Sequence, residues 1–225
     1  DSLGLHPADI LPEVNRRLQA CRNLCEDFTP PVILPGQSIV VQAQIEIGVV
    51  DDPERLLAQI YDVLANAISP RIGFYTLSQM LARGKNMDQV FDGPALDHGF
   101  IDDDELARFQ RKVGLRSSDL LQEVMNLPAV SAINSLQIKS GSQSEDWYLK
   151  LDEGSTPYLD IGQSLFAIAG GAIVLTRGGI VVQVDANRVK QQIMRMQEGN
   201  VREVLPLAQR DVRRAPHRHK LDHLP

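Results

Sequence analysis

Between Val41 and Ile47 apolar and polar residues alternate without a break, as Val41-Gln42-Ala43-Gln44-Ile45-Glu46-Ile47. A period of two sends successive side chains to opposite faces. The segment therefore predicts a strand with one buried face and one face, made of Gln42, Gln44 and Glu46, that meets solvent or a partner. The period changes on either side. Upstream, Val14, Leu18, Cys21 and Cys25 recur at helical spacing and predict a helix over 12–25, with Pro12 in the first position, where a missing N–H costs nothing. Thr29-Pro30-Pro31 ends it. Downstream, Asp52-Pro53-Glu54 opens a helix to about Ser69, whose apolar stripe is Leu56, Leu57, Ile60, Val63, Leu64, Ala67 and Ile68, and Pro70 stops it.

A short helix is expected from Leu77 to Ala82, ending at Gly84. Asp92-Gly93-Pro94 and His98-Gly99 are turn signals. Asp102 and Glu105 have the spacing of a capping box for a helix to Val113, which Gly114 interrupts. Ser117 or Ser118 is expected to cap a helix over 119–126, with Leu120, Leu121 and Val124 turned inward, and Pro128 stops it. Val130 to Ile138 reads as a strand. The polar stretch 141–146 reads as a flexible boundary. Beyond it strands are expected over 147–151, 157–161, 172–176 and 180–184, the last two joined by Arg177-Gly178-Gly179 as a hairpin turn. A helix over 186–196 carries Val189, Ile193 and Met196 at helical spacing, and nothing periodic follows Gly199. The pattern is that of an α+β protein, with helices packed on a small mixed sheet followed by a β-rich extension. It divides into an N-terminal helix and connector (1–28), an α+β core (29–141), a β-rich extension with a short helix (142–200) and a basic tail or connector (201–225).

Composition adds exclusions. With 43% hydrophobic and 23% charged residues the chain is an ordinary globular sequence, and a net charge of -6 argues against nucleic acid as a partner. The charge is uneven. Residues 88–105 hold seven acids and no Lys or Arg, whereas 202–220 hold Arg202, Arg210, Arg213, Arg214, Arg218 and Lys220 against Glu203 and Asp211. Cys21 and Cys25, four apart on a predicted helix, read as two buried thiols, since neither a disulfide framework nor a zinc site has this spacing. No secretory signal is evident, and the apolar run 165–175 is about half of what a membrane helix needs. The chain opens without Met and reads as a piece of a longer protein.

The stretch with the most unusual chemistry is 90–106. Phe91, Asp92, Gly93, Pro94, Leu96, Gly99, Phe100 and Ile101 combine large apolar side chains with conformationally special residues, next to Asp97 and the run Asp102-Asp103-Asp104-Glu105. Either it binds something cationic or it locks into a partner. Asp92, Asp102 and Asp103 are the residue types a hard cation takes, which leaves a metal-dependent hydrolase or metal-binding domain using 92–105 as the alternative reading. The spacing of an EF-hand is absent, however, and acids at a helix start are favoured by the helix dipole. His98 has no paired nucleophile, and no serine stands in a nucleophile elbow. His217, His219 and His223 lie among arginines that repel a metal ion. No phosphate-binding glycine motif is present. The residues thus give no catalytic set, no metal ligands and no cofactor site, and leave 90–106 as a candidate interface and structural landmark.

Three blocks, in order, resemble the baseplate J-like family, the wedge proteins of contractile phage tails and phage-tail-like injection systems. They are Asn23-Leu24-Cys25-Glu26-Asp27-Phe28 with the strand and helix that follow; Phe74 to Leu81 followed by Phe91-Asp92-Gly93-Pro94-Ala95-Leu96 and Gly99-Phe100-Ile101; and Ser118-Asp119-Leu120 followed by Leu127-Pro128-Ala129-Val130. The resemblance covers 12–140 well and 141–200 loosely, and makes 29–141 the J-like core. Much of the family has Gly where Ala129 stands, so this backbone position cannot require a positive φ. The resemblance implies a non-enzymatic structural subunit, assembling with other wedge subunits into a six-fold ring, with sheath and hub proteins as further partners. It implies no nucleic acid and no membrane insertion, synthesis in the bacterial cytoplasm, and residence in a particle that is released or membrane-associated.

Overall fold

A computed structural model describes residues 7–20, 22, 25, 27–92, 99–109, 112–167 and 171–204. The chain forms two compact units, one from residues 1–70 and 111–189, the other from 71–110 and 190–225. The α+β class expected from the pattern is the one observed.

The first unit is organised around β1 (Gly36–Ile47). Its alternation extends further upstream than the strict pattern shows, and Ile39, Val41, Ala43, Ile45 and Ile47 are buried. Along one edge β1 pairs antiparallel with β3 (Val130–Ser140). Along the other it is long enough to serve two strands in series. Gly36–Ile39 pair in parallel with β6 (Thr156–Leu159), and Ala43–Glu46 pair in parallel with β7 (Ile173–Arg177). Between them the chain makes a π-helical turn, Gln163–Ala167, that the sequence pattern gave no sign of. β4 (Gln143–Glu145) extends the sheet beyond β3, and β8 (Ile180–Val181) extends it beyond β7. A separate ladder joins β2 (Gly114–Arg116) to β5 (Tyr148–Lys150). Residues 141–146, expected as a flexible boundary, are instead the tip and return strand of the β3–β4 hairpin. The sheet thus draws strands from both the 29–141 and the 142–200 segments.

One face of this sheet is covered by α2 (Pro53–Ile68) and α6 (Ser117–Met125). Asp52 caps α2 by accepting the Arg55 N–H at 2.9 Å, and the predicted stripe is buried through Leu56, Leu57, Ile60, Leu64 and Ile68. Tyr61 is also fully buried; its hydroxyl reaches the Ser164 carbonyl, and burial pushes its pKa up. Neither Ser117 nor Ser118 caps α6. Ser117 donates to the Trp147 carbonyl and Ser118 to Asp119, so the helix starts at Ser117 without a side-chain cap.

At the amino end α1 spans Pro7–Ala20, not 12–25. Pro7 occupies the first helical position and Pro12 lies inside the helix. Cys25 is exposed with φ 65°, outside any helix, so it is not the buried thiol expected; Cys21 lies outside the described residues. None of the described residues from Ile10 to Gly36 is buried. No non-glycine besides Cys25 has a positive φ among the described residues, so Ala129 sits in ordinary backbone.

In the second unit α3 (Leu77–Ala82) lies where expected, with a capping box of Thr76 and Gln79, and α4 (Met87–Phe91) has a second one of Asn86 and Gln89. α5 (Asp103–Arg108) is shorter than expected. α7 (Ala186–Val204), whose residues through Val189 belong to the first unit and those from Lys190 to the second, runs past the expected end at 196.

Candidate functional site

The 90–106 segment belongs to the second unit, where 75–92 and 99–106 are tied together. Tyr75 and Phe100 exchange two backbone hydrogen bonds, Tyr75 N to Phe100 O at 2.7 Å and Phe100 N to Tyr75 O at 2.8 Å. Gly99 makes this approach possible. Its φ is +118°, and a Cβ there would stand 2.8 Å from the Tyr75 carbonyl oxygen. Phe100 then meets Phe91 edge-to-face, with centroids 5.3 Å apart and planes at 86°. Phe91 remains 58% exposed, so one ring edge is packed while much of the ring faces outward. Asp92 follows α4 as its exposed C-cap residue, and Ile101 is half-buried. Gly93, Pro94 and Leu96, with Asp97 and His98, lie outside the described residues, as do His217, His219 and His223.

The acids of this segment meet cations that the chain itself supplies. Asp102 is only 6% exposed. One carboxylate oxygen lies 3.2 Å from Lys85 Nζ and the other 3.4 Å from Arg83, and it also accepts the Asp104 N–H at 3.0 Å, capping α5. Lys85 reaches Asp104 as well, at 2.5 Å. Arg83 at the same time stacks over the Tyr75 ring, 3.8 Å from its centroid. The Tyr75 hydroxyl donates to Glu105 at 2.8 Å. Glu105 thus serves Tyr75 instead of closing the capping box proposed with Asp102.

These contacts set the protonation of the cluster. Burial works against the charged form of Asp102, but Lys85, the Asp104 N–H and Arg83 outweigh it, so its pKa falls below the ordinary carboxylate value. The hydrogen bonds from Lys85 to Asp104 and Asp102 raise the lysine's pKa. Burial, then the bond to Glu105, raises that of Tyr75. Asp102, one of the three acids of the metal-binding alternative with Asp92 and Asp103, is therefore engaged by Lys85 and Arg83. Among the described residues no group of three or more His, Cys, Asp or Glu is arranged to hold a metal ion. Arg83 and Lys85 were missed in the sequence, where Tyr75 stood only as part of the Phe74 to Leu81 block. Their only signal there is a pair of cations flanking Gly84, and nothing local links them to acids about 19 residues on.

The polar face of β1 is only partly the wet face expected. Gln42 and Gln44 line a shallow depression of the first unit with Ser135 and Gln137. Glu46 is instead taken up by the β7–β8 turn, accepting from the Thr176 hydroxyl at 2.6 Å and from the Gly178 N–H. These bonds, the one from Thr176 first, hold its pKa below the usual value.

Residues 35–194 match the family model described as baseplate wedge Pvc12-like domain 3. No curated protein matches the chain. Four chains of solved structures do. One of these is in the cryo-EM structure of the anti-feeding prophage (AFP) baseplate, 6-fold symmetrised, at 24% identity and a TM-score of 0.58; the match covers 82% of the present chain and 37% of that one. The likeness supports the fold, and the present chain spans well under half of that longer protein. No helix among the described residues is long and apolar enough to cross a membrane.

Proposed function

The chain belongs to the Pvc12-like baseplate wedge family, as its domain 3, and from this premise we propose that it works by assembly, joining neighbouring wedge subunits in a six-fold ring. The observation that carries the reading is the family match, which runs through both units of the fold. The chemistry agrees with it. The acids of 90–106 that have described partners hold the chain's own side chains, and the segment still presents Phe91 outward. In this reading Phe91, Asp92, Gly93, Pro94, Leu96, Gly99, Phe100 and Ile101 form a landmark facing other subunits, with sheath and hub proteins as further partners, and the protein is not an enzyme. It is made in the bacterial cytoplasm and built into a phage-tail-like particle, without nucleic acid as a partner.

The test is particle assembly with Phe91→Ser, which removes an outward ring while sparing the Tyr75–Phe100 backbone bonds. The full-length protein carrying it is expected to fold, by circular dichroism, and to give few complete baseplates in negative-stain electron microscopy. Normal baseplate yield with Phe91→Ser, and again with Asp92→Lys, would sink the interface role of the segment. An alternative in which the acids bind metal predicts tight calorimetric binding of Ca²⁺, Mg²⁺ or Mn²⁺ that Asp102→Asn abolishes.

A further inference from the structure

The outer side of α4 in the second unit is apolar and acidic at once. Met87 and Phe91, four apart on one face of the helix, are 50% and 58% exposed. Residues 88–105 hold seven acids and no Lys or Arg. The nearby cations are already engaged: Arg83 and Lys85 pair with Asp102, and Lys85 also with Asp104. Asp88, Asp92 and Asp103 are exposed and form no ion pair among the described residues. An apolar patch bordered by unpaired acids is complementary to a segment that sets apolar residues among positive charges.

The chain carries such a segment, and it starts in the same unit. From Lys190 onward α7 belongs to the second unit, and it ends at Val204. The 21 residues that follow, 205–225, hold five Lys or Arg against two acids, with Val212 directly before Arg213 and Arg214. Extended, a segment of this length spans about 70 Å, whereas a compact unit of this size is roughly 30 Å across, so every face of the unit is within reach. A tethered segment also meets such a face at millimolar effective concentration, where a few exposed ion pairs and one apolar contact suffice. We infer that residues 205–225 dock on α4 of their own chain, Val212 against Met87 and Phe91, and Arg213 and Arg214 beside Asp88 and Asp92. The segment then occupies the face that includes Phe91, and a neighbouring subunit gains that face by displacing it.

The regulatory part rests on the reading of Phe91 as an assembly contact, but the docking is tested apart from it. The measurement is the rate at which a bulky maleimide labels Met87→Cys in the full chain, with Cys21→Ser and Cys25→Ser leaving a single thiol and circular dichroism confirming that each variant is folded. Arg213→Glu with Arg214→Glu is expected to speed labelling on the order of tenfold, as the ion pairs and the contact they hold are lost together. Asp88→Lys with Asp92→Lys alters the surroundings of the thiol, so it serves as its own reference. Adding Arg213→Glu and Arg214→Glu to that variant is expected to slow labelling, because the charges are then exchanged. The rate is expected to be the same at every protein concentration, since segment and face share one chain. Labelling indifferent to the arginine variants, or not slowed by the exchange, overturns the inference. A rate that falls as concentration rises assigns the covering segment to a second copy and overturns it as well. If labelling is indifferent while Phe91→Ser still blocks baseplates, the inference fails and the assembly reading stands. If labelling responds while Phe91→Ser builds normal baseplates, the docking stands and the interface role of Phe91 fails.

Discussion

Asp102 shows how one side chain changes meaning when its partners are seen. In sequence it is one acid in a run of four; in the fold it is the N-cap of α5 and the meeting point of Lys85 and Arg83. Its pKa is depressed in the folded state, so its contribution to stability is complete above the ordinary carboxylate value near about 4 and is lost as pH falls through the lowered one. The urea midpoint is therefore expected to hold between about pH 7 and 5 and to fall below about pH 4, and Asp102→Asn, which keeps the cap but not the charge, should flatten that fall. Asp102→Ala loses the cap as well, at a further cost of about 1 kcal/mol. Gly99 is a second critical residue. Gly99→Ala places a Cβ against the Tyr75 carbonyl at a positive φ, and should cost about 1–3 kcal/mol in urea unfolding, because the Tyr75–Phe100 bonds must open to make room.

At the scale of elements, β1 is held at its start by a polar side chain. Gln37 is buried within the apolar sheet: its amide N–H donates to Ser140, and its carbonyl accepts from the Asp152 N–H and the Ser155 hydroxyl, each near 3.0 Å. Gln37→Leu fills similar volume but leaves those donors and acceptors without partners, and is expected to cost about 1–3 kcal/mol by urea denaturation, more than Gln42→Leu on the open face. This is also where sequence legibility ends. The phase of β1 and the stripe of α2 were readable because a period needs only neighbouring residues. Gln37 was not, since the groups that satisfy it lie more than a hundred residues away. α4 carried a local signal, Asn86 three residues before Gln89, that the apolar pattern obscured. α1 was displaced because Pro12 was read as its first residue while Pro7 held that place. In the 90–106 segment the aromatic residues and Gly99 were legible, but the cations that answer its acids were not; the turn expected at Asp92-Gly93-Pro94 falls largely outside the described residues.

For the whole molecule, an arm with no buried residue among those described, from Ile10 to Gly36, should contribute little to the stability of the fold. Val14→Ser with Leu18→Ser is expected to leave thermal unfolding within about 0.5 kcal/mol of wild type. Circular dichroism melts read this directly. The strand that serves two partners in series has a consequence in time. Ile45 leaves the ribosome about 130 residues before Leu175, its partner on β7. At synthesis rates of roughly 5–20 residues per second, β1 waits on the order of ten seconds with that edge unpaired. A nascent chain truncated before β7 would therefore expose the open edge of β1 as a template for other strands, before any particle is built.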